Sequence, residues 1–365
     1  MDAERQVANT LVFNDPNPLP LVMGDQLSEF TLAYETWGEL NKDRSNAVLL
    51  FTGLSASSHA RSHPGNTAPG WWEGMIGSGS GLDTDRWFVI CVNHLGGCFG
   101  STGPSSLRPN SNRRYGPDFP PLTIRDLAHA ANRMIRSLGI DRLHGVLGAS
   151  QGGMLSLEYA ACFPDQVDRL ISISATGRTG PQSIAYRYVQ RQVILNDPAY
   201  QGGWYYDTDQ KPVGSMAVAR QIGNITYRSR QEWEDRFGRG RTGSGYSYGP
   251  DFQVESYLHH MGHKLAHQFD ANSFLLLTKA MDLFSLGYGF NSYREGVARI
   301  KSPSLIMGVG TDMLFPVDEQ EAVYLALKNE GNDTQFRQLN ANSGHDSFLV
   351  EVEYFGTAIQ DFLRR

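Results

Sequence analysis

The stretch that decides the fold is Leu143-His144-Gly145-Val146-Leu147-Gly148-Ala149-Ser150-Gln151-Gly152. Residues 143–147 form a short, mostly apolar run, as a buried strand does. Beyond Gly152, Met154, Leu155, Leu157, Tyr159 and Ala160 open a helical pattern. At the junction, Gly148, Ser150 and Gly152 stand in G-x-S-x-G spacing. Glycines at those two positions let a strand and a helix meet around a strained turn, which lifts the serine hydroxyl clear of the sheet. The same spacing often arises by chance, as a glycine-rich turn with a solvated serine. A strand before it and a helix after it select the nucleophile instead.

Working outward, Ala47–Phe51 and residues 87–92 read as further buried strands. Between 92 and 143 lies a helix. Thr123 and Asp126 form its capping box, Ile124, Leu127, Ala131, Met134 and Leu138 make its apolar face, and Gly139 stops it. The pattern returns late, with strands at residues 304–308 and 334–339 and a closing helix at 354–363. Strands alternating with helices predict an α/β protein, a mostly parallel sheet with helices on both faces. Residues 182–295 differ. They are rich in Tyr, Arg, Gln and Gly and show helical segments without a convincing strand, so an inserted helical cap is expected there. The core would then comprise residues 1–181 and 296–365.

A serine needs a base and an orienting acid. The elbow and the strand–helix alternation together predict the α/β-hydrolase fold, in which the triad follows the chain order Ser, Asp or Glu, His. Only His345 lies after residue 267, in Ser343-Gly344-His345-Asp346-Ser347 and in a loop after a strand. The acid should end the preceding strand, where Thr311-Asp312 stands. Taken singly, His345 reads as a surface histidine and Asp312 as a turn former. Their joint placement at the right strand ends favours a triad of Ser150, Asp312 and His345. The oxyanion hole takes one N–H from Gln151 and one from the loop Thr52-Gly53-Leu54-Ser55-Ala56-Ser57-Ser58-His59-Ala60, with Leu54 the preferred donor.

The net charge of -6 removes any electrostatic reason to bind nucleic acid or an anionic membrane. Three cysteines, Cys91, Cys98 and Cys162, are too few for a disulfide framework and suit a reducing cytoplasm. Residues 1–9 show no apolar leader, and no apolar run is long enough to span a bilayer. His259, His263 and His267 recur at every fourth position and could share a helix face. With no H-E-x-x-H pattern, a solvated cap or subunit-contact face is the default over a metal site. Arg236, Arg239 and Arg241 read as a solvated loop. Contact with CoA phosphates is their minority reading.

Several strings carry a family resemblance. Gly70-Trp71-Trp72-Glu73-Gly74-Met75-Ile76-Gly77, Leu95-Gly96-Gly97-Cys98-Phe99-Gly100-Ser101-Thr102-Gly103-Pro104, Arg191-Gln192, Ile225-Thr226-Tyr227-Arg228-Ser229, Phe252-Gln253-Val254-Glu255-Ser256-Tyr257-Leu258 and Asp270-Ala271-Asn272 resemble the homoserine O-acetyltransferase family. The likeness runs from about residue 30 to 350. The loop at 52–60 is more similar to the serine O-acetyltransferase and serine O-succinyltransferase branch. The resemblance implies ping-pong acyl transfer from an acyl-CoA co-substrate, acetyl or succinyl, with no bound cofactor and no metal. His345 would act as base and then acid. The family's arginine and the aspartate after its catalytic histidine map to Arg228 and Asp346, a clamp for the acceptor's carboxylate and ammonium. The family usually has Met after the nucleophile, so Gln151 is expected to put a polar side chain at the pocket.

The loop favours L-serine over L-homoserine as acceptor. A succinyl donor would need a cation, for which Arg61 or a cap arginine could serve. A homodimer through the cap helices is expected. The rival readings are a plain esterase with the same triad and a non-catalytic binding protein; the first lacks use for a clamp and the second for an intact triad.

Overall fold

The computed structural model describes residues 10–245 and 247–365; residues 1–9, read above as lacking an apolar leader, lie outside the described residues. An eight-stranded sheet is built from β1 (Leu11–Asp15), β2 (Phe30–Trp37), β3 (Ala47–Phe51), β4 (Phe88–Val92), β5 (Gly145–Ala149), β6 (Leu170–Ile173), β7 (Ser304–Val309) and β8 (Thr334–Leu339). Their spatial order is β1-β2-β4-β3-β5-β6-β7-β8. β2 runs antiparallel to β1 and β4, and the remaining pairs are parallel.

Alternation along the strands assigns the two cores. Leu49 and Phe51 of β3 face a layer that includes α1 (Ile124–Ser137) and α2 (Gln151–Cys162). Val48 and Leu50 face the opposite layer. In chain order there follow α3 (Pro181–Leu195), α4 (Val213–Tyr227), α5 (Arg230–Phe237), α6 (Gln253–Ala266) and α7 (Ala271–Asp282), all between β6 and β7. After them come α8 (Tyr293–Ala298), α9 (Val317–Asn329) and α10 (Val352–Leu363). α10 supplies Phe355, Ile359 and Phe362 to that opposite layer. Each such fully buried side chain contributes roughly 1.5–3 kcal/mol. Among the described residues no helix is long and apolar enough to cross a membrane.

The expected helix at 124 forms as read. Thr123 Oγ1 accepts from the Asp126 N–H at 3.3 Å, and the Thr123 N–H donates to Asp126 Oδ2 at 2.7 Å. Gly139, at φ +70°, lies just past its end. Elsewhere the boundaries moved. β5 occupies 145–149 rather than 143–147, because Gly145 and Gly148 are not breakers here. A Cβ on Gly145 would meet Leu363 Cδ2 at 2.9 Å, so the glycine is a place of close packing. Strands β1, β2 and β6 escaped the sequence reading. β2 carries Thr31, Glu35 and Thr36 among its apolar residues, and β6 is only four residues long, too short for a period to show.

Candidate active site

Ser150 sits between β5 and α2 with φ 59° and ψ −123°, a conformation costing about 1–3 kcal/mol for a residue with a side chain. Close backbone approach compels it. A Cβ on Gly148 would lie 2.4 Å from Gly152 C, and one on Gly152 would lie 2.3 Å from Phe51 O. The Ser150 N–H donates to Ile173 O at 2.9 Å, which ties the turn to β6.

Asp312 follows β7 and His345 follows β8. Asp312 Oδ2 accepts from His345 Nδ1 at 2.7 Å, while Asp312 Oδ1 accepts from the N–H groups of Leu314 and Phe315, each at 2.9 Å. Since the carboxylate can only accept, Nδ1 carries the proton and Nε2 of the neutral ring is the free base. Burial pulls the His345 pKa down, but the charge and hydrogen bond of Asp312 outweigh it and leave it above the ordinary histidine value. Tyr227, Phe315 and Phe348 enclose the ring, with centroids 5.8, 5.5 and 5.7 Å away. His345 was expected in a loop. It lies in a single 3-10 turn, Gly344–Asp346. Gly344, at φ +62°, allows that turn to press on the cap: a Cβ there would be 2.8 Å from Tyr227 O and Ser229 N.

Ser150, His345, Leu54, Asp346 and Arg220 line one cavity of about 400 Å³. The loop that carries Leu54 is braced from three sides. The Ser58 N–H donates to Asn93 Oδ1 at 2.6 Å, Trp71 Nε1 donates to Ser57 O at 2.9 Å, and the His94 ring contacts Thr52 Oγ1 at 3.0 Å. Burial pulls the His94 pKa down to about 4, so that brace is uncharged. Gln151 is the first residue of α2, where the N–H has no intrahelical partner and is available to an oxyanion.

The structure bears on four of the sequence expectations. The Gln151 side chain does not line the cavity. It is wholly buried, and its amide atoms have no hydrogen-bond partner among the described residues. Arg228 also stands outside the cavity lining. It donates to Tyr257 Oη at 3.1 Å, pairs with Glu232, and reaches Asp346 Oδ2 at 3.8 Å from behind. Arg61 is turned away, bonded to Ile76 O and close to Glu73. His259 and His263 share a face of α6, with His267 at its end, but the grouping of metal-capable donors among the described residues is a different one, Glu35, His59 and His63.

The cation that does line the cavity is Arg220, which the sequence reading missed. Its Nη1 is 3.3 Å from Tyr227 Oη, its Nε has no partner, and it makes no ion pair among the described residues. A signal existed: Arg220 is the sole charged residue in the fifteen of α4. Lys264 of α6 lines the same cavity. Burial raises the Asp346 carboxyl above its ordinary value, against the pull of His345, Arg220 and Arg228. One cavity thus combines a strained serine, an oriented imidazole, two cations and an anion.

Comparison with known proteins bears on the fold and the family. The family profile of the alpha/beta hydrolase fold matches residues 46–352. A homoserine O-acetyltransferase of Symbiobacterium thermophilum is 45% identical over 354 residues, covering 95% of this chain and 92% of its own. A serine O-succinyltransferase of Frateuria aurantia is 45% identical over 356 residues, covering 96% and 97%. The crystal structure of homoserine O-acetyltransferase from Bacillus anthracis superposes with a TM-score of 0.91 at 26% identity, covering 98% of each chain. On this evidence the chain is an acyltransferase of the homoserine O-acetyltransferase family, built on the α/β-hydrolase fold.

Proposed function

We propose that the protein acylates the hydroxyl of L-serine from an acyl-CoA thioester, in cysteine or methionine biosynthesis. The observation that carries this reading is the meeting of Ser150 and His345 with Arg220 and Asp346 in one cavity. His345 Nε2 takes the Ser150 proton as Oγ attacks the thioester carbonyl, and the oxyanion accepts from the N–H groups of Leu54 and Gln151. The C–S bond breaks, and the CoA sulfur leaves with the proton from His345. The acceptor hydroxyl then gives its proton to His345 and attacks the acyl-enzyme ester, and Ser150 is restored.

Arg220 suits the acceptor carboxylate and Asp346 its ammonium, while Arg228 steadies Asp346. That leaves Lys264 as a cation without an ion pair among the described residues, which favours succinyl over acetyl as the acyl group. Relatives named serine O-succinyltransferase support this reading; those named homoserine O-acetyltransferase keep the longer acceptor as the alternative.

An assay of acetyl-CoA and succinyl-CoA against L-serine and L-homoserine tests it. The serine and succinyl combination should give the highest kcat/KM, with cross-reaction, since one methylene is worth only about 1–3 kcal/mol. Arg220→Met should slow discharge of the acyl-enzyme to the amino acid while CoA release in the first half-reaction continues. Loss of the first half-reaction instead would assign Arg220 to the donor. For assembly, we place a second copy against the outer faces of α3 and α4, where Ile184, Tyr188, Val189, Leu195, Val218 and Ile225 are exposed. Sedimentation of Tyr188→Glu against the wild type tests this.

A further inference from the structure

Acyl transfer gives no task to Glu35, His59 and His63, none of which lines the Ser150 cavity. Glu35 stands on β2 and is 3% exposed. His59 ends the segment that carries Leu54 and is 6% exposed. One carboxylate oxygen and one nitrogen of each ring lie within 4.8 Å of one another. Glu35 Oε2 is 2.8 Å from His59 Nδ1 and 3.1 Å from His63 Nε2.

The hydrogen count at His59 does not close with a neutral ring facing a carboxylate. Its Nε2 is 2.7 Å from Ala68 O, which can only accept, so Nε2 carries the hydrogen. A neutral imidazole then turns a bare lone pair at Nδ1 toward a carboxylate oxygen 2.8 Å away, in a buried place where two facing acceptors repel. A positive species must lie between them.

We propose that this species is a divalent transition-metal ion of the zinc class, held by His59 Nδ1, His63 Nε2 and the Glu35 carboxylate. Two imidazoles and one carboxylate are a zinc ligand set with a fourth position left for water. The contact from His59 Nε2 to Ala68 O is the outer bond that orients a ligating histidine. Access exists, because His63 is partly exposed and lines a separate surface cavity of about 320 Å³ with Thr36, Gly77 and Thr84. Zinc–nitrogen bonds of about 2.0–2.1 Å at tetrahedral angles set donors roughly 3.3 Å apart, so the 2.8 and 3.1 Å contacts open by a few tenths of an ångström. Ligation also moves the His63 proton to Nδ1, which gives up the 3.2 Å bond from the Gly65 N–H. Bound there, the ion fastens the segment that carries the oxyanion donor to the central sheet. The competing occupant is a proton held between His59 Nδ1 and Glu35 Oε2.

The test uses tag-free, chelator-treated full-length protein. Co²⁺ is titrated and followed by its visible absorption, and Zn²⁺ by calorimetry. One equivalent should bind and raise the Tm. His63→Ala, a change at a partly exposed position, should weaken binding at least about tenfold. Glu35→Gln should abolish the visible band, and His263→Ala should leave binding unchanged. Circular dichroism identifies any variant that fails to fold. No binding by the wild type, or binding lost in His263→Ala and kept in His63→Ala, overturns the proposal and leaves the proton in place. None of these readings depends on acyl transfer, so the two proposals fail separately.

Discussion

Asp312→Asn should cut kcat by about 10³ to 10⁴ while leaving KM for acyl-CoA nearly unchanged, and the hydrogen bonds say why. Asp312 Oδ1 accepts from two N–H groups and Oδ2 faces His345 Nδ1. An asparagine that keeps its oxygen on the two N–H groups must point its NH₂ at Nδ1. The ring then has to carry its proton on Nε2, where it cannot accept one from Ser150. The opposite orientation restores the useful tautomer but sets the NH₂ against two buried N–H donors. Leaving those unsatisfied costs about 1–3 kcal/mol each, so about 2–6 kcal/mol in all. At 1.4 kcal/mol per decade the competent form falls to between about one part in 30 and one in 10⁴, and the upper range agrees with the losses of other triads. Stopped-flow release of CoA, followed with a thiol reagent, measures this half-reaction. A rate within about tenfold of the wild type would refute the argument and pass the orienting role to another carboxylate, Asp346 being next to the ring.

Three further outcomes are expected. Mass spectrometry after mixing with acyl-CoA alone should find one acyl adduct on the wild type, at Ser150, and none on Ser150→Ala; an adduct on another residue would displace the nucleophile. For the pH dependence, His345 must be neutral to act as base and its pKa is raised above 6.5. The acid limb of kcat/KM should therefore lie above pH 6.5, with activity lost as pH falls through it. Asp312→Asn should move that limb down, and a limb below 6.5 in the wild type would contradict the electrostatics. Gly152→Ala should lower stability in urea by about 1–3 kcal/mol or more, because its Cβ would lie 2.3 Å from Phe51 O and 2.9 Å from Thr52 O; an unchanged midpoint with full activity would count against the packing of the elbow.

Much of this protein is readable without coordinates, wherever a feature depends on neighbours along the chain. The elbow at Ser150 is a local pattern of strand, glycine, serine, glycine and helix. The fold it implies supplies an order in which Asp312 and His345 are the residues left to choose. The capping box at Thr123 and Asp126 is likewise four residues long, and its helix forms where the sequence places it. Partnership across the chain is different. Arg220 lies in the middle of α4 and Arg228 just past its end, and which one faces the cavity depends on how the helix packs over the sheet. That packing sends Arg228 behind Asp346 and brings Arg220 to the front. The Gln151 side chain is buried because the elbow fixes the direction of its backbone, and adjacency to Ser150 carries no information about that. β2 is antiparallel, and Glu35 meets His59 only because β2 lies beside the loop that follows β3. Local free energies decide turns, caps and helix starts, so the sequence displays them. The choice between two equally suitable charged side chains is made by packing among elements far apart in the chain, and only the tertiary structure contains it.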